Sequence, residues 1–451
     1  MEKLALLGGN PVRKEPFKSS VVIDEDEVSA VMDVLKAKEL SRFIGSSSDD
    51  IEEQLHMESA KALNYGGQGF SFLGGRKIRQ LEAEFAKYFG AKYAITVNSA
   101  TSGLSLSLAA AGIGPGDEVI TTCLSFNATG TSILLFNSIP VFVDINGENF
   151  CLNPQEVRKV ISPKTKAILV VHLMGNAADM DAIMNIAREH NLVVIEDCAQ
   201  APGTRYRGQY VGTIGDIGVF SFQEPKNIST GEGGIVITNN PQYAKKCRLI
   251  RNHGESIPDD STPLEDLVNI VGCNFRMTEL TAAVGTEQLK KLAENNRVRN
   301  ENARFLAREL SVFEGIEIPN VVYNEEYVIH ILTILYHSSR VELSRDMLVK
   351  ALTAEGIPVS TGYPRIMPDN PLFLRKLAYG KNQCPFSCPY YGRSIDYGSG
   401  LYPIARDLIN KKQISFHIIN RPNNLDDMKD IVKAFEKIYA NIEQLEKSEK
   451  W

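Results

Sequence analysis

Short apolar runs alternate with amphipathic stretches from about residue 80 to residue 240. AKYAITV (91–97), DEVITT (117–122), IPVFVDI (139–145), KAILVVHL (166–173) and NLVVIED (191–197) are compact and rich in Val and Ile, like strands buried on both faces. Helical patterns fill the gaps: Thr101 to Ala111 is rich in Leu and Ala, and Asp179 stands at the N-cap position before DAIMNIAREHN. Apolar strands separated by helices predict an α/β fold, a mostly parallel sheet covered by helices on both faces. Two further short strands, IGVFSF (217–222) and GGIVIT (233–238), bracket a polar, Gly-rich loop.

The pattern then changes. Residues 285–312 read as one long charged helix, followed by VIHILTILYH (328–337), a helix opened by Ser344, ISFHII (414–419) and a final amphipathic helix from Asp426 to about Leu445. The expectation is a large domain over 1–312 and a smaller α+β domain over 313–451. At 451 residues the chain exceeds the roughly 250–300 at which a single core stops growing, so two domains are also the default on length. Between Leu40 and Gly74, a stretch containing SSSDD and NYGGQGFSFLGG reads as loop around one helix, either a lid or a surface excursion without a role.

Charge and cysteine content narrow the function. A formal charge of -6 without any basic block leaves no footprint for nucleic acid or anionic lipid, so neither is an expected partner. No window reaches about 18 consecutive apolar residues, and the opening MEKLALLGGNPV lacks a signal-peptide pattern, so a cytoplasmic location is expected. The seven cysteines are scattered and odd in number, which suits reduced thiols. Cys384 and Cys388 are the one close pair; lacking a second pair at zinc spacing, they read as loop residues, and no metal is expected.

In an open parallel sheet, ligands collect beyond the carboxyl ends of the strands, so the polar residues there come first. NSATSGL (98–104) places small residues between a strand and a helix start, where backbone N–H groups can approach a phosphate; small turns of this kind also arise for steric reasons alone. Asp197 ends the run LVVIED. A carboxylate there fits a helix cap or structural salt bridge, and equally the ring N–H of a pyridoxal cofactor, whose protonation makes the ring an electron sink. SFQEPKNISTGEGG (221–234) holds Lys226 between a strand end and a Gly-rich segment. An isolated lysine is usually a solvated surface charge, but one desolvated at such a position has the amine that Schiff-base chemistry needs.

Taken in order, NSATSGL, LSFNAT, EDCAQA, GDIGVFSFQEPKNISTGEGG and GCNFRMTEL resemble the DegT-type nucleotide-sugar and cyclitol aminotransferases, which are pyridoxal 5'-phosphate (PLP) enzymes of the aspartate-aminotransferase fold. The resemblance is dense from about 75 to 300 and looser elsewhere. It implies that Lys226 carries the cofactor as a Schiff base and shuttles the proton, and that Asp197 pairs with the pyridinium. Gln200 would lie beside the ring and its phenolic oxygen, Phe126 would stack on the ring, and Thr101, Ser102 and Ser221 would bind the phosphate. Asn274, with Arg276 as a companion, would reach the phosphate of a neighbouring subunit, which implies a homodimer with shared sites.

By the same resemblance the reaction moves an amino group from glutamate or glutamine, through pyridoxamine 5'-phosphate, to a nucleotide-linked keto sugar or a keto cyclitol. The setting is amino-sugar or aminocyclitol biosynthesis for secondary metabolites, antibiotics included, or surface glycans. Ala100 and Pro225 depart from the common Gly and Thr, and FHIINRPNNLDDM (416–428) looks closer to cyclitol-type members. Keto-sugar dehydration in related enzymes replaces the lysine by histidine, whereas position 226 is Lys. An NAD oxidoreductase would need its glycine fingerprint after a strand, whereas GIGPG (112–116) precedes one. A ligand-sensing regulator should have lost the lysine or gained a DNA-binding segment, and neither is seen.

Overall fold

A computed structural model of the chain describes residues 2–18, 21–43, 73–254, 270–398 and 400–449. The stretch that reads as either a lid or a surface excursion lies, from 44 to 72, outside them. Helices α1 (Glu25–Ala37) and α2 (Arg76–Phe89) lead into the sheet. Strand β1 (Tyr93–Val97) runs into α3 (Ala100–Ala110), β2 (Glu118–Thr122) is followed by α4 (Ala128–Leu135), and β3 (Ile139–Val143) by α5 (Pro154–Val160). Next come β4 (Thr165–Val171), α6 (Met180–His190) and β5 (Val193–Asp197). A two-stranded hairpin, β6 (Arg205–Tyr206) and β7 (Gln209–Tyr210), precedes β8 (Ile217–Ser221), β9 (Gly234–Thr238) and α7 (Pro241–Arg251).

Seven of these strands form one sheet in the order β1-β9-β8-β5-β4-β2-β3. Only β9 runs against its neighbours; the pairs from β8 to β3 are parallel. Every residue of β2, β8 and β9 is buried, which is why those segments read as unbroken apolar runs rather than alternating ones. The expected α/β sandwich is therefore present, and each strand proposed from the sequence between 91 and 238 coincides with an observed one to within two residues at either end. The Asp179 cap also holds: its side chain accepts from the Ala182 N–H at 3.2 Å.

Helix α8 (Glu279–Leu310) begins six residues before the expected start at 285, because Thr278 caps it by accepting from the Thr281 N–H. Its last turns supply Ala303, Leu306, Ala307 and Leu310 to a second core. That core is built on the antiparallel sheet β10 (Ile316–Glu317), β11 (Leu332–Tyr336) and β12 (Gln413–Phe416), with α9 (Arg345–Ala354) packed beside it. Between β11 and β12 the chain returns to the first core. This excursion carries the short helices α10 (Pro371–Leu374) and α11 (Pro403–Asp407), and its Met367, Phe373, Tyr391 and Tyr397 join that core.

The expected single final helix is two, α12 (Leu425–Ala440) and α13 (Ile442–Glu449). Asn441 breaks it: its side-chain amide donates to the carbonyls of Lys437 and Glu2, tying the break to the N-terminal segment. All seven cysteines are unpaired, Cys384 and Cys388 included. No helix among the described residues is long and apolar enough to cross a membrane.

Candidate active site

The carboxyl ends of β1, β5 and β8 and one face of β12 meet around a cavity of about 530 Å³. Local rules place the first wall. Ser99 caps α3 by accepting from the Ser102 N–H at 3.1 Å, leaving the N–H groups of Ala100 and Thr101 without partners among the described residues, at the positive end of the helix. Gly234 in β9 lets that end approach the sheet: a Cβ there would lie 2.7 Å from the Ala100 nitrogen. Phe126, just before α4, lines the cavity while 64% exposed, so its ring face is available to a flat ligand.

Asp197 ends β5 and is 5% exposed. Its Oδ1 accepts from the Ala199 N–H at 3.1 Å and its Oδ2 from the Thr129 hydroxyl at 3.2 Å. Burial pushes this carboxyl above its ordinary value, opposed by those hydrogen bonds and by the charge of Lys226. Lys226, in the loop between β8 and β9, lines the same cavity, and its amine has no hydrogen-bond or ion-pair partner among the described residues. Burial lowers its pKa; the charge of Asp197 opposes this and that of Arg299 adds to it. The balance brings the amine nearer its neutral, nucleophilic form.

The cavity collects Thr101, Phe126, Asp197, Gln200, Ser221 and Lys226 from the sequence-derived set. Gln200 is held at both ends, accepting from the Met174 N–H at 2.9 Å and donating to the Tyr363 hydroxyl at 3.0 Å. Ser102 is not among the lining residues; it is buried, and its hydroxyl donates to Asn98 Oδ1 at 2.7 Å. Asn274 and Arg276 also lie outside the cavity. Asn274 is exposed, and its Oδ1 accepts from Arg276 Nε at 2.9 Å.

The second wall was not legible from the strand-end rule. His330 and Tyr363 line it, and Gln413, Ser415 and His417 come from one face of β12 and its extension. Their signal in the sequence is a period of two in QISFH: Ile414 and Phe416 enter the second core, and the polar alternates face the cavity. Burial holds the Tyr363 phenol up at about 12, so it is a neutral hydroxyl. Apart from Lys226, Asp197 and the exposed Glu232, the polar groups of the lining are neutral.

These groups fit pyridoxal phosphate. The buried carboxylate suits a cationic ring nitrogen, the amine an aldehyde, and the two free N–H groups at the start of α3 a phosphate. Comparison with known proteins agrees. The family model of the DegT/DnrJ/EryC1/StrS aminotransferases matches residues 49–400. The L-glutamine:2-deoxy-scyllo-inosose aminotransferase of Streptoalloteichus tenebrarius is 35% identical over 80% of this chain and 85% of its own. The GDP-perosamine synthase of Caulobacter vibrioides is 39% identical over 63% of this chain and 75% of its own. The solved aminotransferase from Psychrobacter cryohalolentis superposes with a TM-score of 0.74 at 29% identity, covering 95% of this chain and all of that one. The chain belongs to the DegT/DnrJ/EryC1/StrS aminotransferase family and is a PLP-dependent aminotransferase.

Proposed function

We propose that this enzyme moves an amino group from glutamine or glutamate onto the carbonyl carbon of a polyhydroxylated cyclic ketone, either a nucleotide-linked keto sugar or a keto cyclitol. Its products would be amino sugars or aminocyclitols for secondary metabolites, antibiotics among them, or for surface glycans. One observation carries the reading: the amine of Lys226 and the buried carboxylate of Asp197 face a single cavity whose other polar groups are almost all neutral hydrogen-bonding groups. Neutral donors and acceptors suit hydroxyls. The relatives named for scyllo-inosose and perosamine chemistry support that substrate class.

When bound, pyridoxal phosphate supplies a carbonyl that captures amines and a ring that takes up an electron pair. The chain does the rest. With the cofactor held there, Asp197 would keep its ring nitrogen protonated, and the amine of Lys226 would take up and return the proton of the substrate carbon. Thr101, Ser221 and the first N–H groups of α3 would hold the phosphate; Ser102, expected beside them, has its hydroxyl engaged by Asn98 and its N–H by Ser99. Phe126 would cover one ring face, and Gln200, kept in place by Met174 and Tyr363, would sit beside the ring.

The proposal includes a homodimer in which exposed Asn274, with Arg276, reaches the partner's phosphate. It also includes a cytoplasmic location without nucleic-acid or membrane partners. A large domain over 1–312 and a smaller one over 313–451 would face each other across the cavity, the segment bearing α10 and α11 lying against the first core. The test is to load the protein with pyridoxamine 5'-phosphate, add a panel of keto sugars and keto cyclitols, and record which returns the cofactor to its aldehyde-derived spectrum. Return with simple keto acids alone would end the substrate assignment.

A further inference from the structure

His330 belongs to none of the motifs that mark the site, yet its backbone is pinned on both sides. Gly175, at φ +98°, lies so close that a Cβ there would be 1.7 Å from the Val328 carbonyl oxygen. The His330 N–H donates to the Met174 carbonyl at 3.0 Å, and its carbonyl accepts from Arg299 Nη1 at 3.0 Å. His330 is 6% exposed and lines the cavity that Lys226 also lines.

Its hydrogen-bond polarity is set from a backbone carbonyl two side chains away. The Pro202 carbonyl can only accept, so Asn296 must turn its Nδ2 toward it, at 2.8 Å. Asn296 Oδ1 is then left to accept from Asn227 Nδ2 at 2.9 Å. Asn227 Oδ1 in turn faces His330 Nδ1 at 2.8 Å, and that nitrogen must carry the proton. Turning either amide around would set donor against donor or acceptor against acceptor. In the neutral ring the lone pair therefore sits on Nε2, which has no partner among the described residues. Burial first, and then the charges of Lys226, Arg299 and His417, hold the imidazole well below the ordinary histidine range, so the ring is neutral near pH 7.

We propose that His330 Nε2 is a fixed acceptor for a hydroxyl of the bound keto substrate, and that His330 is a specificity-determining residue of the amino-accepting half-reaction. This rests on the reading of the enzyme as an aminotransferase of polyhydroxylated ketones. A lone pair at that point offers nothing to the α-carboxylate of an amino-acid donor, whereas a hydroxyl can donate to it. The two half-reactions should therefore respond differently to losing it.

The experiment uses the cofactor-loaded enzyme and stopped-flow absorbance to time each half-reaction separately. Glutamine and glutamate serve as donors, and 2-deoxy-scyllo-inosose and a GDP-linked keto hexose as acceptors. His330→Asn keeps a donor where Nδ1 stands, and so the bond to Asn227, but deletes Nε2. His330→Gln keeps a polar atom near Nε2 and loses the bond to Asn227. The expected result is a keto half-reaction at least tenfold less efficient in His330→Asn, a donor half-reaction changed less than threefold, and partial recovery of the keto half in His330→Gln. The reverse ranking, an equal loss in both halves, or no loss in either overturns the proposal and makes the ring a structural member of the Asn227–Asn296 network. Failure of the aminotransferase reading shows differently, as wild-type protein that takes no amino group from either donor.

Discussion

Asp197→Asn separates the cost of burying a carboxylate from its use. The substitution is nearly isosteric, and the surrounding hydrogen bonds can adapt. The new Oδ1 keeps the Ala199 N–H, while Nδ2 donates to Thr129 Oγ1, whose own proton turns to Ser125 Oγ, 2.9 Å away. In the cofactor-free protein the variant should lose nothing and gain stability at neutral pH, since burial raises the Asp197 pKa and the charged form is what the fold opposes. The sign follows from linkage. A raised folded-state pKa means that the favourable contribution of the protonated carboxyl is complete below the ordinary value of 3.8 and is lost as pH rises through the folded value.

The gap between variant and wild type should therefore widen upward from about pH 4 and close below it. With cofactor bound the order reverses. Removing one partner of a buried ion pair costs about 3–5 kcal/mol, which at about 1.4 kcal/mol per tenfold is a loss of turnover between about 100-fold and several thousand-fold. Thermal melts of the cofactor-free proteins from pH 3.5 to 8, together with turnover of the loaded ones, measure both. A variant that turns over at the wild-type rate refutes the electron-sink role. A cofactor-free variant less stable than wild type at pH 7 refutes the claim that the carboxylate is buried at a cost.

Other perturbations test the remaining parts. Lys226→Ala should abolish both turnover and the visible absorbance of the cofactor-loaded protein; a variant retaining full transamination would remove Lys226 from the chemistry. Phe126→Ala removes a side chain already 64% exposed, so stability should be nearly unchanged. The stacking it withdraws, about 0.5–1.5 kcal/mol, should speed cofactor release by about two- to tenfold in a dilution assay. Glu82→Gln strips the carboxylate that Arg251 meets at 2.7 Å and that also faces Arg248, whose guanidinium burial has pulled down to about 10. Denaturant unfolding should show about 3–5 kcal/mol of lost stability, and a loss under about 1 kcal/mol would mean that water already reaches those guanidiniums.

The first wall of the site was open to sequence reasoning because its signals are local. Strand-length apolar runs define β1, β5 and β8, and the chain positions at or shortly after their ends hold Thr101, Asp197, Ser221 and Lys226 whatever happens elsewhere. The N-caps at Ser99, Asp179 and Thr278 are equally local, each a side chain bonding to a backbone N–H three residues on. Motif matching carried less well where it depended on orientation: Ser102 sits in the same turn as Thr101, but a helix turns successive side chains by about 100°, and its hydroxyl points back to Asn98 rather than into the cavity.

Tertiary structure alone decided the second wall and its polarity. Tyr363, Gln413 and His417 reach the cavity because the chain returns to β12 after a long excursion over the first core; the period of two in QISFH separates a core face from a polar face, but nothing within it records that the polar face will meet this cavity. The proton on His330 Nδ1 depends on the Pro202 carbonyl through Asn296 and Asn227, residues from four separate stretches of chain. Short-range patterning determines which segments become strands and helices and which residues stand at their ends, since those choices are settled within a few residues by backbone geometry and capping. Which donors meet which acceptors across the cavity is a property of long-range packing, and it exists only once the elements have come together.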